Sequence, residues 1–225
     1  MQRAPGCLQN VVEDYKYAVN VFAALLAVGL PIAFGDRLNN ALHIARDLID
    51  HHYSTDPVLF GERPGGREHA LPERFPRRAR IQRRLHALID HLTKREHLDG
   101  IVFLAHSQGT VIVYDFLQSA APAYRELNGI VPTVVTCGSP LTHIYRHYFH
   151  EYGHLDSELG RLGPALAGWT NLYRLDDYIG TWLGPRSESP IVNEAMPAGG
   201  HADYWKETVL VRHVCEAIAK SVNGR

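Results

Sequence analysis

Three residues that are far apart in the sequence have the types needed for nucleophilic catalysis: Ser107, Asp177 and His201. A serine hydroxyl attacks a carbonyl carbon only when a general base lies within hydrogen-bond reach, and histidine is well suited to be that base at neutral pH. A carboxylate then orients the imidazole and stabilises its protonated form. Together the three side chains would support acyl transfer without a cofactor.

The sequence around Ser107 places it between a strand and a helix. Residues 101–104 (IVFL) are apolar and predict a short buried strand, and residues 110–117 continue as an apolar helix. The small residues of AHSQG, at 105–109, predict a sharp turn that lifts the serine above the edge of the sheet. The helix N-terminus would then bring the backbone N–H of Gln108 to the oxyanion of a tetrahedral intermediate.

The acid and the base also follow strand patterns. Residues 169–175 (WTNLYRL) alternate as a strand does and run directly into Asp176 and Asp177, so two aspartates compete for the role of triad acid. Residues 190–195 predict a last strand, and the glycine-rich loop after it carries His201. The order serine, aspartate, histidine along the chain is the one found in α/β-hydrolases.

These motifs resemble the α/β-hydrolase superfamily, on its lipase and esterase side. The resemblance is carried by AHSQG, by Gly-Ser-Pro at 138–140, by Asp-Tyr-Ile-Gly at 177–180 and by Gly-Gly-His-Ala-Asp-Tyr-Trp at 199–205. Ala105 stands where the usual G-x-S-x-G motif has glycine, and alanine is small enough to be tolerated there. The resemblance favours Asp177 over Asp176 as the acid, because the family's acid precedes a short turn with Ile or Val and then Gly. It implies an acyl-enzyme formed on Ser107.

The expected fold is α/β and α/β-hydrolase-like, with a mostly parallel sheet flanked by helices. Residues 36–53 and 77–97 predict amphipathic helices, and residues 130–136 predict a buried parallel strand. Before the strand at 101–104, only residues 57–60 could form a strand, so the N-terminal strands of such a sheet are reduced or missing. Either the sheet is small or the chain is the C-terminal part of a longer protein. We expect residues 37–225 to form the catalytic domain.

Residues 141–168 interrupt the strand and helix rhythm and predict a cap over the site. Its histidines at 143, 147, 150 and 154 have the i,i+4 spacing of helical metal ligands, but no carboxylate completes a site and no metal is expected. His106 points away from the serine in such a turn, so it packs or hydrogen-bonds beside the site. The predicted residues of the substrate pocket and cap are His106, Ser139, Tyr145, Tyr148 and Phe149.

The N-terminal residues 1–36 are hydrophobic. Residues 17–35 (YAVNVFAALLAVGLPIAFG) are long enough to cross a bilayer and predict a membrane helix. A removable signal peptide ending at 33–35 and a buried core helix are the alternatives. The flanking charges nearly balance, so they predict no orientation. We therefore expect a membrane-anchored protein with a soluble catalytic domain, and a cytoplasmic protein in the alternative case.

Composition excludes several other classes of protein. Apolar residues make up 45% and charged residues 21% of the 225 residues, which is typical of a globular protein. The net charge of −1, and the absence of any known nucleic-acid-binding module, argue against a nucleic-acid partner. Three widely spaced cysteines (Cys7, Cys137 and Cys215) predict neither a disulfide framework nor a thiolate zinc site. A cluster of arginines predicts either a solvated helix face or attraction to anionic lipid head groups or phosphorylated substrates: Arg74, Arg77, Arg78, Arg80, Arg83 and Arg84.

The sequence therefore predicts a serine esterase or lipase-like hydrolase that acts on lipid-like or other apolar esters. His201 would remove the proton of Ser107, and Asp177 would hold the imidazolium. Two alternatives remain open: a catalytically weak or inactive membrane-tethered binding module of the same fold, and an acyltransferase in which an alcohol replaces water. The sequence predicts no particular oligomeric state.

Overall fold

The computed structural model describes residues 36–53, 55–57, 74–120, 127, 129–185 and 190–223. The chain divides into two compact units, residues 1–78 and 79–225. The predicted membrane helix at residues 17–35 lies outside the described residues. Within the described ranges, no helix has both the length and the apolar character needed to cross a membrane.

The first unit contains helix α1 (Asp36–Tyr53) and two short strands, β1 (Thr55–Pro57) and β2 (Arg74–Pro76), which pair antiparallel. Helix α1 has the bounds that its apolar periodicity predicts. Strand β1 overlaps the weak strand predicted at 57–60 only at Pro57, and residues 58–60 are outside the described part of the chain. Helix α2 (Arg77–Arg95) follows and continues into the second unit.

The second unit is built on a parallel sheet of four strands in the described residues, in the order β3-β4-β5-β6. The strands match the predicted ones to within a few residues: β3 is Val102–His106, β4 is Thr133–Cys137, β5 is Gly168–Arg174 and β6 is Val192–Met196. Strand β4 is buried along its whole length, as its β-branched run requires. The α/β class with a parallel sheet flanked by helices is therefore confirmed.

Helices cover both faces of this sheet, because successive strand residues point to opposite sides. Helix α3 (Gln108–Ala120) packs on one face, where the rings of Phe103 and Phe116 lie 5.5 Å apart. Helix α5 (Thr208–Asn223) packs on the other face, where Leu210 and Ala217 join a buried cluster with residues of β4, β5 and β6. The carboxyl ends of all four parallel strands meet at one edge, which is where ligands bind in open α/β sheets.

The segment predicted as a cap, residues 141–168, forms short helical turns and a helix, α4 (Leu155–Leu162). Its side chains contact α3 along most of that helix. Tyr152 donates a hydrogen bond to Asp115 over 2.9 Å, and Tyr114 donates one to Glu158. The segment is thus anchored on one flank of the helix that follows Ser107.

Candidate active site

Ser107 occupies a sharp turn between β3 and α3, and its backbone is strained. Its φ is +53°, a left-handed value that residues other than glycine rarely adopt. The serine N–H donates to the carbonyl of Cys137 over 3.0 Å, and its own carbonyl accepts from the N–H of Thr110 over 2.9 Å. The turn is therefore held by β4 on one side and by the first turn of α3 on the other. This arrangement projects Ser107 at the carboxyl edge of the sheet.

The three predicted catalytic side chains meet in one chain of hydrogen bonds. Nε2 of His201 lies 2.8 Å from Oγ of Ser107, and Nδ1 of His201 lies 2.8 Å from Oδ2 of Asp177. An ionised carboxylate only accepts, so the Nδ1 proton faces Asp177 and Nε2 is left to accept from the serine hydroxyl. The side chain of His201 is 12% exposed and that of Asp177 is fully buried. The histidine can therefore take the serine proton while the carboxylate stabilises the resulting charge.

Asp177 accepts hydrogen bonds on both of its oxygens. The N–H of Ile179 donates to Oδ1 over 3.0 Å, and the hydroxyl of Tyr204 donates to Oδ2 over 3.0 Å. Burial acts to raise the pKa of Asp177, but hydrogen bonds from His201 and from the backbone of Gly180 and Ile179 outweigh it. The pKa is consequently held below its usual value, and the carboxylate is ionised at neutral pH.

Of the two competing aspartates, the structure brings Asp177 and not Asp176 to His201. Asp176 is exposed, and its Oδ2 accepts a hydrogen bond from the N–H of Gly199 over 2.9 Å. It thereby ties the loop before His201 to the end of β5. Asp176 thus contributes to the loop's position and makes no direct contact with the imidazole.

His106 supports the backbone of the histidine loop. Its Nε2 lies 2.8 Å from the carbonyl oxygen of His201 and donates to it, and its ring lies 4.9 Å from the ring of His201. Burial lowers the pKa of His106, so the ring is neutral at pH 7. This hydrogen bond agrees with the expectation that His106 is a packing and hydrogen-bonding neighbour of the site.

Two glycines allow the loops around the site to pack closely against each other. Gly138 has a φ of +60°, and a β-carbon there would lie 3.0 Å from Cε1 of His201. A β-carbon on Gly180 would overlap the backbone of Gly138. The turn after β4 therefore packs directly against both the imidazole of His201 and the turn that holds Asp177.

Gln108 is the first residue of α3, and the first N–H groups of a helix have no partner within that helix. Its side chain is held by Tyr145, which is fully buried. Nε2 of Gln108 lies 2.9 Å from the tyrosine hydroxyl, and the same hydroxyl lies 3.1 Å from Oε1. The residue whose N–H is expected to face an oxyanion is therefore fixed at its other end by the segment at 141–145.

The remaining residues predicted for the pocket lie in different environments. Ser139 is fully buried, and its carbonyl accepts from the N–H of Thr181 over 3.2 Å, so it shapes the turn after β4. Phe149 is buried and stacks on Tyr145, with ring centroids 4.5 Å apart. Tyr148 is 76% exposed at the surface. Cys137 is the fully buried last residue of β4.

Sequence reasoning missed the side chains behind Asp177. Tyr204 lies within the motif at 199–205, but it is not among the residues predicted for the site, and neither are Arg174 and Glu207. Arg174 is 2% exposed, and its Nη2 donates to Oε1 of Glu207 over 2.7 Å. The signal available in the sequence is that Arg174 is a charged residue at an inward-facing position of a strand, only three residues before Asp177.

Two further observations concern possible metals and relatives. In the part of the chain that the structure describes, no group of three or more His, Cys, Asp or Glu side chains is arranged to hold a metal ion.

Comparisons of the chain with protein-family models, with curated proteins and with solved structures give no significant match.

Proposed function

We propose that this protein is a serine hydrolase of carboxylic esters, with Ser107 as nucleophile, His201 as general base and Asp177 as orienting acid. The observation that carries the proposal is the pair of 2.8 Å hydrogen bonds that joins the three side chains. The strained φ of Ser107 supports it, because such strain concentrates at active sites.

The geometry supports the following reaction. Oγ of Ser107 attacks the ester carbonyl carbon while Nε2 of His201 accepts the hydroxyl proton. The carbonyl oxygen becomes an oxyanion, for which the N–H of Gln108 at the start of α3 is the proposed donor. Collapse of this intermediate breaks the ester bond, and the alkoxide leaves with the proton from His201. Water then attacks the acyl-enzyme with His201 again as base, which releases the acid and restores Ser107.

The fold that we propose is the α/β-hydrolase fold. Its support is the strand, turn and helix around Ser107, followed in chain order by Asp177 after β5 and His201 after β6. These are three separate segments that converge on the carboxyl edge of one parallel sheet. The membrane anchor at residues 1–36 remains a prediction, and it accords with a lipid-like substrate.

Apolar esters are the proposed substrate class. Trp205 is 53% exposed, and its ring lies 5.7 Å from that of His106, which itself contacts the His201 loop. Tyr178, next to Asp177, is 49% exposed. Exposed aromatic side chains beside the proposed triad would favour an apolar acyl or alcohol group over a charged one.

An active-site-directed fluorophosphonate tests the nucleophile. We expect the full-length chain to be labelled at Ser107, and Ser107→Ala to be unlabelled, with ester hydrolysis lost in parallel. Ser119→Ala is the matched control, because Oγ of Ser119 also lies 2.9 Å from a histidine, Nε2 of His86, but belongs to the regular helix α3.

Labelling that persists in Ser107→Ala, or that Ser119→Ala removes, would show that the nucleophile is wrong. A folded wild-type chain that is neither labelled nor active on esters would instead favour the non-catalytic binding module.

A further inference from the structure

Tyr204 is a buried residue that contacts the proposed triad at Asp177. It is fully buried, and its hydroxyl donates to Oδ2 of Asp177, the same oxygen that accepts the hydrogen bond from His201. Burial and the negative charge of Asp177 both raise the pKa of Tyr204, so its hydroxyl keeps its proton and remains a donor.

An ion pair between the buried Arg174 and the partly exposed Glu207 lies against Tyr204. The guanidinium carbon of Arg174 lies 4.8 Å from the centre of the Tyr204 ring, and its Nη2 lies 2.7 Å from Glu207. A buried guanidinium is costly unless it is paired, and the glutamate and the aromatic face together offset part of that cost, although Nε of Arg174 has no hydrogen-bond partner among the described residues. Arg174 also abuts the histidine loop, since a β-carbon on Gly199 would overlap Nη1.

These contacts join the three segments on which the acid and the base depend. Arg174 is the last residue of β5, whose exit carries Asp177. Gly199 precedes His201 in the histidine loop, and Tyr204 and Glu207 lie between that loop and α5. The position of Asp177 relative to His201 is thus fixed by a second set of contacts in addition to their own hydrogen bond.

We propose that Tyr204, held by the Arg174–Glu207 ion pair, is a positioning residue that fixes the Asp177 carboxylate for His201. The inference rests on the proposed function. With Ile179 donating to Oδ1 and Tyr204 donating to Oδ2, the carboxylate cannot rotate without losing a hydrogen bond. Without the hydroxyl, Oδ2 loses a donor in a buried site, and the imidazole is aligned for a smaller fraction of the time.

The test compares Tyr204→Phe with Tyr114→Phe in the full-length chain. Tyr114 is the matched control, because it is a buried tyrosine that also donates to a carboxylate, that of Glu158 on α4. We expect Tyr204→Phe to lower kcat on p-nitrophenyl butyrate about tenfold, and fluorophosphonate labelling to slow in proportion. KM should stay within about twofold, since Tyr204 is too deeply buried to touch substrate. Tyr114→Phe should leave both parameters unchanged, even where the two variants lose similar thermal stability.

Glu207→Gln provides a second variant, which keeps the side-chain volume and an oxygen acceptor but removes the carboxylate charge. We expect a smaller fall in kcat with KM unchanged. If wild-type protein is labelled and active while Tyr204→Phe and Glu207→Gln keep its kcat, the positioning role is overturned and the proposed function stands. If Tyr204→Phe fails to fold, the kcat of Glu207→Gln tests the proposal: a lower kcat supports the positioning role, and an unchanged kcat overturns it. If the folded wild type is neither labelled nor active, the proposed function fails, and the positioning role fails with it.

Discussion

At the scale of single residues, the site depends on a carboxylate that stays charged although it is buried. Hydrogen bonds from His201 and from the backbone of Gly180 and Ile179 overcome the opposing effect of burial and keep the pKa of Asp177 low. Because this pKa is lower in the folded than in the unfolded chain, Asp177 stabilises the fold above its unfolded pKa of about 3.9. That contribution is lost as the pH falls through the folded-state pKa.

Replacement of Asp177 by asparagine tests this assignment. The amide of asparagine has one oxygen acceptor where the carboxylate has two, and it has no negative charge to stabilise the imidazolium. We expect Asp177→Asn to lower kcat by about 10³- to 10⁴-fold, as loss of a triad acid does elsewhere. Steady-state hydrolysis of p-nitrophenyl butyrate measures it.

Asp176→Asn is the control, because Asp176 is the neighbouring exposed carboxylate and bonds only to the Gly199 N–H among the contacts described above. We expect its kcat to remain within about threefold of wild type, since one exposed hydrogen bond contributes little. A larger loss in Asp176→Asn than in Asp177→Asn would reverse the assignment of the acid.

At the scale of elements, the turns at the ends of three strands position the site. The turn after β3 carries Ser107, the turn after β4 packs Gly138 against His201, and the turn after β5 holds Asp177. Buried hydrogen bonds across the sheet support the last of these. Nδ2 of Asn171 on β5 donates to the carbonyl of Thr181 and to Asn193 of β6, each over 3.0 Å. These hydrogen bonds connect the segment that follows Asp177 to β5 and β6 of the sheet.

Gly138→Ala tests the close approach of the β4 turn to the imidazole. An alanine at this position would have to adopt the left-handed φ of Gly138. Its β-carbon would also press on Cε1 of His201, which would lie 3.0 Å away. We expect a loss of about 1 kcal/mol in the free energy of unfolding from the backbone strain. We also expect kcat to fall by about tenfold or more because the imidazole is displaced. Denaturant unfolding and ester hydrolysis measure the two effects.

Gly129→Ala is the control that separates the effect of backbone strain from the effect of a contact with His201. Gly129 has a φ of +80°, but a β-carbon there would meet no atom of the described residues within 4 Å. The free energy of unfolding of Gly129→Ala should fall by about as much as that of Gly138→Ala, whereas kcat should not change. Equal kcat values for Gly129→Ala and Gly138→Ala would contradict the role assigned to the β4 turn.

The helices and strands were largely predictable, because apolar periodicity and β-branched runs are local signals. Helix α1 has its predicted bounds, and β5 and β6 differ from theirs by one or two residues. The order of Ser107, Asp177 and His201 was also readable, because each follows a strand pattern. The pairing of Arg174 with Tyr204 and Glu207 was not, since these partners lie about thirty residues further along the chain and no periodicity links them to Arg174.

At the scale of the whole molecule, the chain separates into a unit of residues 1–78 and a unit of residues 79–225 that contains the entire proposed triad. Within the described ranges, the parallel sheet of the second unit carries Ser107, Asp177 and His201 at its carboxyl edge. The first unit contributes helix α1 and a short strand pair, and it carries the predicted anchor in its undescribed residues. We therefore assign the proposed chemistry to the second unit and expect membrane association, if present, to come from the first.

The central claim is that an acyl group is carried on Ser107, and trapping that intermediate tests it most directly. Full-length protein is mixed with p-nitrophenyl butyrate, quenched in acid within the first turnover, digested and analysed by mass spectrometry. We predict a burst of p-nitrophenol that approaches one equivalent per chain when deacylation limits turnover, and a butyryl adduct on the peptide that contains Ser107. A butyryl group found on another residue of an active protein, or ester hydrolysis that persists in Ser107→Ala, would contradict the account.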